Sequence, residues 1–103
     1  MPVRDNTKQQ TNAGTRTRVR EPKKYKVIMH NDNFTTMEFV VDVLVTIFHK
    51  NEMEAEQLML MVHQKGHAVI GIYSMDMAKT RISKALQRAR AQGFPFRMPM
   101  EEE

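Results

Sequence analysis

Between Tyr25 and His30 the side chains alternate, with Tyr25, Val27 and Met29 on one side and Lys26, Ile28 and His30 on the other. A period of two predicts a β-strand with one face more buried than the other. The polar cluster Asn31-Asp32-Asn33-Phe34 then marks a turn. Thr35 and Glu38 stand in capping-box spacing, which predicts a helix start there. Met37, Val40, Val41, Leu44, Ile47 and Phe48 follow on one helical stripe. Several of these are β-branched and would suit a strand, but the cap and the length of the stripe favour a helix. Asn51 predicts the N-cap of a second helix, with Glu52, Glu54 and Glu56 where the helix dipole favours negative charge. Ala55, Leu58, Met59 and Val62 form its expected buried side, and Gly66 is its expected C-terminal stop. The apolar run Ala68–Tyr73 reads as a central strand, with Gly71 permitting a bulge or a close approach.

Ser74 predicts the cap of a third helix, with Ala78, Ile82, Ala85, Leu86 and Ala89 as its stripe and Gly93 as its stop. Residues 94–100, Phe-Pro-Phe-Arg-Met-Pro-Met, read as a last edge strand, where prolines are tolerated, and Glu101–Glu103 as a solvated end. The order is β-α-α-β-α-β. It predicts a compact α+β domain over residues 25–103, a three-stranded antiparallel sheet packed against three helices.

Charge separates this domain from what precedes it. Of 103 residues, 41% are apolar and 27% charged, an ordinary globular balance, yet the net charge is +4. Residues 1–24 hold seven basic and two acidic side chains, whereas residues 25–103 hold nine basic and ten acidic ones. Beyond the first methionine, the leading segment has only Val3, Ala13 and Val19 as apolar residues. Such a composition cannot offset the entropy of ordering, so residues 1–24 are expected to be a flexible basic extension. No cysteine is present, which excludes disulfides, a Cys-ligated zinc finger and a thiol nucleophile. No apolar run reaches membrane-spanning length and no signal-like apolar stretch opens the chain, so a cytoplasmic protein with no membrane association is expected.

Enzymatic constellations are scarce: the chain has no Gly-rich phosphate loop, nucleophile elbow or paired catalytic carboxylates. His63 and His67 have the spacing of a zinc helix, but Gln64 stands where a metalloprotease has its general base, and Gly66 would break the helix between them. Ten methionines raise the question of copper(I), although methionine at helical spacing more commonly lines a core or pocket. Neither a metal nor a cofactor is expected. If the first two helices pack side by side, Met37, Val40, Met59 and Val62 would form an apolar slot beside Asn31, Asn33 and His63. Spacing alone leaves two readings open, a small-ligand pocket with a polar rim or an ordinary core beside a turn. A basic-tailed nucleic-acid-binding domain is the alternative from another class. Against it, basic and acidic side chains nearly cancel beyond the tail, and no aromatics interleave with the tail's basic residues.

Two stretches resemble a known family. Tyr25-Lys26-Val27-Ile28 followed by Asn31-Asp32-Asn33-Phe34-Thr35-Thr36-Met37-Glu38-Phe39-Val40 is similar to the opening of the ClpS adaptor family. Leu58-Met59-Leu60-Met61-Val62-His63-Gln64-Lys65-Gly66 is similar to its second signature, and the likeness spans residues 25–103. The resemblance implies a non-enzymatic, monomeric adaptor. Such adaptors hold proteins whose first residue is Leu, Phe, Tyr or Trp and deliver them to the unfoldase ClpA for degradation by ClpP. It also implies a pocket in which Asn31, Asn33 and His63 meet the free α-amino group and Thr35 lies at the rim. Met37 would exclude β-branched first residues, Val40, Met59 and Val62 would line the slot, and Met29 and Phe96 would complete its wall. The unfoldase-facing surface would include Asp76 and Arg81, and the leading segment would engage the unfoldase during hand-off. Two positions depart from the family pattern. Asn33 stands where a carboxylate is usual, and Thr36 replaces the usual proline at the helix start.

Overall fold

The computed structural model describes residues 22–103. Strand β1 (Lys24–His30) leads through a loop into helix α1 (Met37–Thr46) and then α2 (Glu52–Lys65). Strand β2 (His67–Ser74), helix α3 (Met75–Ala91) and the short strand β3 (Met100–Glu102) complete the order β-α-α-β-α-β. The sheet is three-stranded and antiparallel, in the order β2-β1-β3, so β1 is the central strand and β2, whose apolar run read as central, lies at an edge. Among the described residues no helix is long and apolar enough to cross a membrane. Of the expected extension, residues 1–21 lie outside the described residues, while Lys24 already belongs to β1.

Local chemistry explains most of these boundaries. Asn51 and Glu54 form a reciprocal capping box at the head of α2, and Ser74 accepts from the Met77 amide at the head of α3. Gly66 ends α2 at φ 90°, a backbone conformation that a Cβ would strain, and its N–H returns to the Val62 carbonyl. Gly71 matches the expected irregularity: the β1–β2 register shifts between Val27, opposite Gly71, and Ile28, opposite Val69. Ile70 is thus the extra residue of a bulge. A side chain at Gly71 would sit 2.7 Å from the Tyr73 hydroxyl, so the close approach is real.

The start of α1 differs from expectation. Its cap is Thr36, whose side chain accepts from the Phe39 amide, and not Thr35. Thr35 is instead drawn back into the preceding loop by Asp32. The helix also stops at Thr46, before Ile47 and Phe48, which remain buried beyond its end. His49 takes φ 57°, and the Lys50 amide closes on the Leu44 carbonyl, turning the chain toward α2.

The final strand is shorter and later than expected, covering Met100–Glu102 and not residues 94–100. Pro95 and Pro99 have no N–H for a ladder, so the segment before it is held by isolated bonds. These are Ile28 N–H to the Pro99 carbonyl and His30 N–H to the Arg97 carbonyl, at 2.9 and 3.1 Å. Glu101 and Glu102 are exposed as expected, but they pair with Lys26 and Tyr25 of β1.

The core lies between the sheet and the helices. Val27 and Met29 of β1 and Val43 and Leu44 of α1 are completely buried, together with Ala78 and Ala85 of α3. Phe39 packs edge-on against Phe94 and Phe96, with ring centroids 5.1 and 5.6 Å apart. These contacts fasten the C-terminal segment to the first turn of α1, beside the site described next.

Candidate functional site

The loop between β1 and α1 is built around one carboxylate. Asp32 Oδ1 accepts from the amides of Phe34 and Thr35, both at 2.8 Å, and Oδ2 accepts from the Thr35 hydroxyl at 2.7 Å. This Asx-type turn fixes the backbone from residue 32 to residue 35. Burial alone would raise the Asp32 carboxyl, but the Thr35 hydroxyl and the two amides outweigh it, leaving its pKa below the ordinary value. The Asn31 amide donates to the Gly66 carbonyl at 2.9 Å, tying the loop to the C-terminal end of α2.

Between this loop, α1 and α2 lies a hollow of about 400 Å³. It brings together Asn31, Asn33, Thr35, Met37, Val40, Met59, Val62 and His63, all expected from the sequence. Val40 and Val62 are buried and give it an apolar floor. Met59 is half-buried, and Met37 is 45% exposed, so Met37 stands at the mouth and not in the core stripe where its periodicity put it. Asn31, Asn33 and His63 are exposed around the rim. Met29 and Phe96 lie in the core and are not among the lining residues.

Three further residues line the hollow that sequence reasoning did not assign to it: Asp32, Phe34 and Thr36. Phe34 carried a usable signal, because a large aromatic inside a polar turn has no core to enter, and it is 70% exposed. Chemically the hollow pairs an apolar floor with rim groups able to accept hydrogen bonds from a cation, close to the carboxylate that organises the loop.

Asp76 and Arg81 lie elsewhere, in a larger hollow of about 450 Å³ between the end of α1 and α3. Lys84 and Arg88 lie beside them, with Ile47 and Met77 among the apolar residues of its wall. Arg81 lies over the Tyr73 ring at 5.1 Å, a cation–π contact that holds its guanidinium in place. His63 sits in the last turn of α2 and His67 opens β2, with left-handed Gly66 between them. Among the described residues no three potential metal ligands come together.

Comparison with known proteins bears on this geometry. The family described as "ATP-dependent Clp protease adaptor protein ClpS" matches residues 20–99. An ATP-dependent Clp protease adapter protein ClpS of Syntrophus aciditrophicus is 45% identical over 97 residues, covering 94% of this chain and 91% of its own. That of Wolinella succinogenes is 49% identical over 84 residues, 82% of each chain. The solved structure of Agrobacterium tumefaciens ClpS2 bound to L-phenylalaninamide superposes with a TM-score of 0.77 at 35% identity, covering 81% of this chain and all of that one. Fold, motifs and relatives agree, and the chain belongs to the ClpS family of ATP-dependent Clp protease adaptors.

Proposed function

We propose that this adaptor holds proteins by a bulky apolar first residue (Leu, Phe, Tyr or Trp) in the hollow between α1 and α2. The observation that carries the reading is the placement of Asn31, Asn33 and His63 around the mouth of a hollow floored by Val40 and Val62. A free N-terminal ammonium needs two or three acceptors, and an internal peptide N–H cannot use them equally. Burying a Leu or Phe side chain beneath it contributes about 1.5–3 kcal/mol. Leu and Ile bury similar area, so discrimination between them has to be steric, and Met37 at the mouth supplies the obstruction. Thr35 shapes the rim through its bond to Asp32, while Met29 and Phe96 back the wall from the core. A ligand amide of phenylalanine in the Agrobacterium relative supports a site of this chemistry.

The captured protein passes to the Clp unfoldase ClpA and is degraded by its partner ClpP. Asp76 and Arg81 form part of the docking surface, and the basic leading segment assists hand-off. The adaptor domain comprises residues 25–103, works in the cytoplasm as a monomer, and has no catalysis, metal, cofactor or nucleic acid of its own. The test is a titration with short peptides that differ only in their first residue, beside an N-acetylated control. Leu- and Phe-led peptides are expected to bind, with acetylation removing most of the affinity. Equal binding of free and acetylated forms would sink the pocket.

A further inference from the structure

Ten of the 103 residues are methionine, while cysteine is absent, so the sulfur chemistry open to this chain is that of the thioether. The methionines differ sharply in access. Met29 and Met98 are 0% and 3% exposed and lie in the core, whereas Met37, Met53, Met61, Met75 and Met77 reach the surface. Of these five, only Met37 lines the candidate pocket. It also lines a second hollow of about 410 Å³ on the outer seam between α1 and α2, which it shares with half-buried Met59. Its side chain is therefore approachable from two sides. A small oxidant little larger than water can reach it, and a guest seated in the pocket would cover it.

We propose that Met37 is a reversible oxidation site and that its sulfoxide form turns away chains with an apolar first residue. The inference rests on the proposed function, in which Met37 packs against the guest at the mouth. The oxidant is a hydroperoxide, hydrogen peroxide in the simplest case. A sulfur lone pair attacks one peroxide oxygen, and the S–O bond forms as the O–O bond breaks. The hydroxide that leaves takes the proton of the transferred OH and departs as water. Sulfur gives up two electrons and the peroxide accepts them, so the products are the sulfoxide and water. The thioether was apolar and soft, whereas the sulfoxide is a polar hydrogen-bond acceptor. In the empty pocket water satisfies its oxygen. Beneath a Leu or Phe side chain that water is lost, and the buried floor of Val40 and Val62 has no side-chain donor to replace it. Methionine sulfoxide reductases, one for each sulfur epimer, restore the thioether. Capture thus falls under oxidising conditions and returns afterwards, without any thiol in the chain.

The experiment treats the full chain with hydrogen peroxide until exposed Met53 is fully oxidised, and maps each sulfoxide by mass spectrometry of its peptides. Affinity is read with a Phe-led peptide carrying a free amine, beside its acetylated form. Met37 should be oxidised along with Met53 while Met29 and Met98 are spared, and affinity should fall about tenfold, the loss for one polar group covered by an apolar guest. The two reductases with a thiol reductant should restore it. A chain carrying Met53→Leu, Met61→Leu, Met75→Leu and Met77→Leu keeps Met37 and should lose as much, whereas Met37→Leu, whatever its starting affinity, should lose nothing on treatment. Saturating free-amine peptide should also slow Met37 oxidation without slowing that of Met53, and the acetylated peptide should not. Met37 left unoxidised, full affinity retained with Met37 oxidised, or an equal loss in Met37→Leu would overturn the switch and leave the pocket standing. An untreated chain that binds free and acetylated peptides alike would overturn both.

Discussion

At position 33 the hollow is lined by an amide, where the family resemblance implies a carboxylate, and the two groups differ in one respect that matters. An amide oxygen accepts a hydrogen bond from an ammonium but brings no charge, and charge-assisted bonds are roughly twice as strong. Asn33→Asp is therefore expected to tighten binding of a Leu-led peptide at neutral pH by on the order of 1 kcal/mol, read by isothermal titration. Unchanged affinity would mean that position 33 does not face the amine. Its neighbour Asp32 behaves differently, because its oxygens are already occupied by Phe34 and Thr35. Asp32→Ala should cost about 1–2 kcal/mol of stability and loosen the pocket with it, whereas Asn33→Ala should weaken binding alone. The Asp32 carboxyl, held below its ordinary value, contributes stability above the unfolded carboxylate range and loses it as pH falls through the lowered folded value. Helical spacing and the family resemblance named residues that do line the hollow, together with Met29 and Phe96, which lie in the core instead. The sequence could not show that Asp32 organises the loop, because that depends on backbone angles at residues 32–35 which side-chain identity does not determine.

Elements whose ends are set by local chemistry were legible before the structure. The cap at Asn51, the cap at Ser74 and the stop at Gly66 each involve residues within four positions, so the sequence states them directly. The expected cap at the head of α1, Thr35, is one residue early, because Asp32 takes Thr35 into the loop and leaves the neighbouring Thr36 to cap the helix. The last strand depended on long-range pairing with β1, which prolines interrupt, and its place could not be read from its own residues. The one-residue change at α1 has consequences for the site, since it makes Met37 the first helical residue and sets it at the mouth. Were Met37 a core residue, Met37→Ala would cost about 2–5 kcal/mol and leave selectivity alone. With Met37 exposed, its melting temperature should hardly move, while Ile- and Val-led peptides gain binding relative to Leu-led ones. A large stability loss with an unchanged Leu/Ile ratio would return Met37 to the core.

Across the whole sheet, the end that carries the site is also where three basic residues gather. His30 of β1 faces His67 of β2 in the ladder and bridges to Arg97 on its other side, so three basic residues stand in one row across the strands. The imidazoles of His30 and His67 lie 5.9 Å apart. Burial is the largest cause lowering the pKa of His30, followed by Arg97 and His67, with Glu101 opposing them. A histidine whose folded pKa lies below its unfolded value favours the native state while neutral. Its contribution is present above about pH 6.5 and is lost as pH falls toward and through the lowered folded value. The melting temperature of the protein is therefore expected to fall as the pH is lowered from neutral through the lowered His30 value. His30→Gln should flatten that part of the profile. Arg97→Gln, which removes one neighbouring cation, should raise the His30 midpoint in an NMR titration and shrink the acid loss. The row adjoins the site through Asn31, which follows His30 and whose N–H bonds the Gly66 carbonyl just ahead of His67. A profile that is flat from neutral pH to pH 5 in the unmodified protein, or a His30 midpoint unmoved by Arg97→Gln, would show that this row carries no such coupling.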